Sequence, residues 1–481
     1  MKQITFLTKK LAALIAVALM VQIGFAQNNT TTTNGLPTPG TNNCLFGVGT
    51  NTTIHANHAA VANTYMGYDA GHLSTTPAGC TFLGDSAGYS NTTGNYNTFT
   101  GVYCGVKVTT GSGNTFNGHV AGFNSTTPTG CTFTGDSAGY NNTTANYNTF
   151  TGAYSGLKTT TGANNSFGGV FSGYSNTTGA SNAFYGDSAG YTNQVGNHSV
   201  FIGQGCGLKY TTSDAVFVGY QAGHECSGDA GNTFIGVQSG YYSSTASSNT
   251  CVGNLAGLGG GATGLGSDNT FIGVQAGVNC TSNGNVFVGE HSGKVATGGS
   301  NVYIGNDAAA TATSGASNVI IGHGSAPLIT TGGSNVFIGE IAARNAVSGQ
   351  NNVDIGESSD NNDGSSMTMI GMGTSASASL SNASAIGHNS TVAASNTMQF
   401  GDTNVKGWGF GHGVPTAAKV IVVGTGGGNG NGANLTSGGV WTNASDMNKK
   451  TDIKTLDGTD ILNKINQLPV TEWKYKGTEN E

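Results

Sequence analysis

The apolar positions of this chain recur in a fixed frame, Asn-Thr-Phe-x-Gly-x-x-Ala/Ser-Gly. It is plain in NTFTGVYCG (97–105), NTFIGVQSG (232–240) and NTFIGVQAG (269–277). The glycine after Phe-x falls at every seventeenth residue from Gly67 to Gly203, then at steps of 15 to 20 as far as Gly387. A longer period overlies this one: GDSAGY recurs at Gly84, Gly135 and Gly186, marking a 51-residue block of three units. Self-similarity of this kind is the mark of a solenoid. Each unit holds one short β-prone run, a glycine-rich corner that needs positive φ, and a Thr/Asn/Gly return. The pattern predicts an all-β chain, a parallel β-roll or β-solenoid with one rung per unit of about 17 residues. With strands ~4.8 Å apart, twenty such rungs give a rod on the order of 95 Å long.

Alternation within the short run assigns its faces. Phe recurs two residues before the anchor glycine (Phe82, Phe99, Phe116, Phe133, Phe150), which marks it as the inward column, so its neighbours point the other way. The residue between Phe and Gly is often polar at first, as at Thr100, Asn117, Thr134 and Thr151. From Ile202 onward it is aliphatic, through Val218, Ile235, Val252, Ile272 and on to Ile386. An outward aliphatic column of that length is the kind of patch soluble monomers avoid. Neighbouring copies would cover it, and a homotrimer is the expected assembly.

Other repetitive folds fit less well. A hexapeptide helix needs an aliphatic residue every sixth position, where Gly88 and Gly94 stand after Phe82. A calcium-binding nonapeptide roll needs an aspartate in every turn, whereas the GDS aspartates occur only at Asp85, Asp136 and Asp187. Thr-x-Thr pairs at 98/100, 132/134 and 149/151 raise an ice-binding face, but Asn117 and Gly168 break its ranks.

Composition narrows the function. Gly supplies 81 of 481 residues, charged residues only 8%, and the net charge of -7 leaves no cationic stripe for nucleic acid. Eight cysteines look like a disulfide framework, yet Cys80/Cys131 and Cys104/Cys206 each occupy one repeat position several rungs apart, beyond disulfide reach. Small buried thiols are the simpler reading. Residues 1–26 read as a secretory signal peptide, with Lys2, Lys9 and Lys10 ahead of an apolar run and small residues before Gln27. No membrane span follows, and a secreted protein, extracellular or on the cell surface, is expected.

The repeats, with SAIGHNSTVAASNTMQFGDTNV (384–405) foremost, resemble the heads of trimeric autotransporter adhesins of the YadA-like type. The domains then read as a disordered linker (27–43), the β-roll head (44–405), a Gly-rich neck (406–440) and a charged C-terminal segment (441–481). Thirteen of the charged residues fall in that last segment. Its ASDMNKKTDI is similar to the start of the self-cleaving intramolecular chaperone of tail spikes and endosialidases, the tail-fibre peptidase family. GTDILNKINQLPVTEWKY adds a short helix with Ile461, Leu462, Ile465 and Leu468 on one side, ended at Pro469, then a strand with Thr471, Trp473 and Tyr475 on one face.

That second resemblance implies a chaperone that registers three chains and then cuts itself off. Ser445 would be the nucleophile and cleavage-point serine, Asp446 the residue after the cut, and Lys450 the general base, with Lys449 lowering its pKa. At most this is a single-turnover serine peptidase; the repeats are read as non-enzymatic. Without the resemblance, Ser445 caps a turn and both lysines are solvated. The family's domain continues well past the position of Glu481, which implies a shortened α+β chaperone here.

A secreted trimeric adhesin that binds a host-surface or matrix glycan or protein is therefore the first expectation. A phage-derived tail spike or tail fibre that binds or cleaves surface glycans is the second. Glu340 and Glu357 on successive rungs, with His323 one rung before, offer a carboxylate pair for glycan cleavage, though a solvated ridge is the plainer reading. Asp354 stands where Phe belongs, and with Glu357, Asp360 and Asp363 it forms an oxygen-rich group of the kind Ca²⁺ takes. A frayed rung with exposed acids is preferred, so no metal or other cofactor is expected.

Overall fold

The computed structural model describes residues 43–405 apart from 48, 51–59, 228–229 and 261–263, the backbone of four short strands between 408 and 442, and residues 457–469. The chain divides between Gly401 and Asp402 into two units. The first is a β-solenoid in which 22 strands, from Cys44–Phe46 to Met398–Phe400, form one sheet. Every pairing in it is parallel and in register, so that Thr98–Phe99–Thr100 lies against Thr115–Phe116–Asn117 and that against Thr132–Phe133–Thr134. The all-β parallel coil with rungs of about 17 residues read from the sequence is the fold that forms.

Each named strand has only three residues, yet the ladder runs most of the way round the rung. Gly88 N–H donates to the Cys104 carbonyl, Ser90 N–H to Val106 and Thr92 N–H to Thr109, each at 2.9 or 3.0 Å. The corners are held by backbone that turns left-handed at fixed places. Gly84 has φ 138°, Ser86 55° and Gly88 60°, and the same triplet recurs at Gly135, Ser137 and Gly139. Glycine at the anchor is obligatory on packing grounds as well: a Cβ on Gly118 would sit 2.3 Å from the Gly135 carbonyl oxygen. The GDS aspartates serve this corner, Asp85 accepting from Ser86 Oγ at 2.7 Å and Asp187 from Ser188 Oγ at 2.9 Å.

The core is narrow and consists of stacked columns. Phe82 to Phe234 form an unbroken aromatic pile with ring centroids 4.5–5.0 Å apart and planes within 16° of parallel, resumed at Phe271, Phe287 and Tyr303. That spacing is the interstrand distance itself, so ring stacking and backbone pairing reinforce each other. Beside the rings runs a buried asparagine column. Asn114 donates from Nδ2 to the Pro128 carbonyl at 2.8 Å, while its Oδ1 accepts the Cys131 backbone N–H at 2.9 Å. From Asn232 the column runs without a break to Asn352, which satisfies the buried amides pair by pair.

The cysteines fit these columns as small residues. All eight are free thiols, seven of them buried and Cys44 exposed. Cys80 and Cys131 take the asparagine position, with Sγ donating to the Gly94 and Ala145 carbonyls, and Cys251 replaces a ring of the pile. Burial pushes the Cys104 and Cys206 thiols up to about 12, which keeps them protonated and unreactive.

In the second unit, Trp408–Phe410 pairs parallel with Ile421–Val423, which pairs antiparallel with Asn434–Leu435 and through it with Trp441–Thr442. One helix, Gly458–Ile465, follows. Among the described residues no helix is long and apolar enough to cross a membrane. The expected leader, nearly all of the linker after it, and the strand around Trp473 lie outside the described residues.

Candidate functional site

The solenoid's flat strand face is the first candidate, and it is built by the three-residue strands alone. With Phe turned inward, the residues on either side of it both point out, and in the second half both are often aliphatic: Val200/Ile202, Val216/Val218, Val286/Val288, Val302/Ile304, Val319/Ile321 and Val336/Ile338. Ile202, Ile235, Ile272, Ile304, Ile355 and Ile370 keep 37–44% of their surface open in the single chain. The face carries no charged side chain between Val200 and Ile370 apart from Asp354, which points inward. It is an apolar strip in which the column from Ile202 to Ile370 is unbroken and the column beside it is interrupted by Thr233, Thr250, Thr270 and Thr368, flat because the ladder never breaks register.

The acidic groups are placed one by one. His323 Nδ1 lies 3.7 Å from Glu340 Oε1, and both side chains are about 60% exposed. Glu357 is also exposed, one rung further on, so the His323, Glu340 and Glu357 column is a solvated ridge at the corner.

The Asp354 rung departs from its expected fraying. Val353–Ile355 pairs in register with strands on both sides. Asp354 is wholly buried, occupying the ring position between Phe337 and Met369. Burial, with Asp360 adding to it, pushes its carboxyl up to about 8 against the pull of the Asn361 N–H groups. The other acids are spent on the corner. Asp363 Oδ1 accepts the backbone N–H groups of Val347, Ser348 and Gly349 at 2.6–2.8 Å. Asp360 accepts from Asn345 N and Nδ2 and from Asn362 N. The acidic quartet is thus pulled apart by the preceding rung's backbone, which claims Asp360 and Asp363, and by the core, which claims Asp354. Among the described residues no cluster of three or more His, Cys, Asp or Glu is placed to hold a metal.

The C-terminal segment is the second candidate. Asp457 caps the helix by accepting the Thr459 N–H at 2.9 Å, and Lys464 pairs with Asp460 one turn away at 2.8 Å. Leu462, Ile465 and Leu468 are 53–63% exposed, so the apolar side of this helix has no cover among the described residues. Ser445, Asp446, Lys449 and Lys450 lie outside the described residues.

Residues 445–481 match the family described as chaperone of endosialidase. This agrees with the C-terminal resemblance drawn from ASDMNKKTDI, and the match begins at Ser445. No curated protein matches the chain. The segment similar to the endosialidase chaperone is short beside the solenoid, so the chain is a β-solenoid followed by a C-terminal segment similar to that chaperone.

Proposed function

We propose that this chain is the subunit of a trimeric fibre in which three solenoids pack along their aliphatic strand faces. The C-terminal segment then acts as an intramolecular chaperone that brings the three chains into register. The observation that carries this reading is the half-exposed Val/Ile strip from Val200 to Ile370, which water penalises in a lone copy. The chaperone match supports it, since a fibre of identical rungs has many near-equivalent registers and needs one chosen. In this reading the leader at 1–26 directs the fibre out of the cell, where it serves as a surface adhesin. Ser445, activated by Lys450, cuts the Ser445–Asp446 bond after assembly.

Sedimentation of the purified chain tests the assembly: a species of three times the 48.2 kDa chain mass, or the processed equivalent, is expected. A folded monomer sinks the proposal. For the cut, Ser445→Ala should abolish a processed product that the wild type yields.

A second reading, a tail spike acting on glycans, is favoured by the same family match. It requires the exposed Glu340 and Glu357 to work as a pair. Glycan release lost in both Glu340→Gln and Glu357→Gln would move the conclusion to that reading.

A further inference from the structure

The rung that replaces a phenyl ring with Asp354 leaves three oxygen atoms without partners inside the core: Asp354 Oδ1, Ser359 Oγ and Asn361 Oδ1. All three residues are fully buried. They belong together, because Asp354 Oδ2 accepts both the backbone N–H of Asn361 at 3.1 Å and its Nδ2 at 2.9 Å, and Ser359 is an inward position of the same rung.

Ser359 is the telling member. It stands three residues after its anchor glycine, where other rungs carry Ala87, Ala138 or Ala189. Where serine occurs at that position elsewhere it finds an acceptor: Ser172 Oγ donates across the core to the Phe184 carbonyl at 2.9 Å, Ser239 to Cys251 at 3.0 Å and Ser292 to Tyr303 at 3.0 Å, while Ser325 donates to the Ala342 carbonyl of the next rung at 3.4 Å. Ser359 makes no such bond. An aspartate side chain also has three fewer heavy atoms than the phenylalanine it replaces. The apolar core divides at this rung, one cluster ending at Ala346 and the next starting at Met367.

We propose that the Asp354 rung binds one alkali cation in its core, with Asp354 Oδ1, Ser359 Oγ and Asn361 Oδ1 among its ligands. The ligand set contains only hard oxygens, which excludes soft metals. Charge balance selects the valence. One carboxylate neutralises one Na⁺ or K⁺, whereas a divalent ion would leave a net positive charge buried among Phe337, Met369 and backbone. Each unpartnered oxygen, costly to bury alone, gains a partner from the ion.

The proton is the ion's competitor for Asp354, so the test is run above the carboxyl's pushed-up pKa of about 8. Of the groups packed round it, Phe337 and Met369 carry no charge and Asp360 is the neighbouring carboxylate. Full-length protein is melted at pH 9 and constant ionic strength in NaCl, KCl, tetramethylammonium chloride or CaCl₂. NaCl or KCl is expected to raise Tm by several degrees over tetramethylammonium. Asp354→Phe, which restores the aromatic column, should lose that difference. Ser359→Ala, which installs the residue other rungs carry, should fold normally and need about tenfold more alkali salt for the same shift. Equal melting in alkali and tetramethylammonium salts overturns the proposal. So does an alkali effect that survives in Asp354→Phe or is unchanged in Ser359→Ala, or a stabilisation given by CaCl₂ alone.

Discussion

Asp354 shows how one residue sets the pH response of a long repetitive molecule. Its carboxyl is pushed up to about 8 in the folded chain, against an unfolded value near 3.8. The folded state therefore holds a proton the unfolded state has released, and this residue's contribution to stability is greatest below about pH 4 and declines as pH rises towards 8. Over that window the loss is on the order of 6 kcal/mol. Asp354→Phe should abolish this slope in acid-to-neutral denaturation curves taken in tetramethylammonium buffer and raise stability at pH 7. At the asparagine column, Asn114→Ala strands the Pro128 carbonyl and the Cys131 N–H, so a loss of about 2–3 kcal/mol is expected in denaturant melts. The Phe82-type column was legible because apolar rings at a fixed step admit one placement. The asparagines beside it were not, since Asn-Thr-Phe reads equally well as a solvated strand entry. Only the ladder shows that Asn97 and Asn114 are interior, and that Cys80 stands in for their amide. Asp354 misled for the same reason: a lone acid in a repeat is ordinarily a surface residue, and here strand pairing on both sides holds it in the core.

At the scale of elements, the three-residue strands and the helix expose apolar sides that have no cover among the described residues. Ile235→Lys and Ile338→Lys place charge on the outward face without touching the ring pile. Each is expected to leave the circular-dichroism spectrum unchanged while shifting the sedimenting species towards monomer. A core change such as Phe234→Ala should instead cost about 3–5 kcal/mol of stability. Helix Gly458–Ile465 separates in the same way into its cap and its apolar side. Asp457→Ala should lower helix stability by about 1 kcal/mol. Leu462→Ser should leave the helix intact and slow trimer formation in refolding assays. The helix and its stop before Pro469 were legible from the spacing of Ile461, Leu462, Ile465 and Leu468. How those side chains are covered was not, because that depends on surfaces a single sequence pattern does not describe.

At the scale of the whole molecule, each rung touches only the rungs above and below, so the solenoid is a one-dimensional array whose cross-section repeats. GDSAGY returns every 51 residues at the same corner, with Asp85, Asp136 and Asp187 making the same contact to the next serine. Removing residues 85–135 would rejoin Gly84 to Asp136 in the same frame, giving a folded rod about 14 Å shorter. Cutting 45 residues instead would place polar returns in the core and should yield aggregate on expression. The molecule thus carries its own graduated scale: recombination between near-identical blocks can lengthen or shorten the solenoid in fixed increments while leaving what lies at either end unaltered.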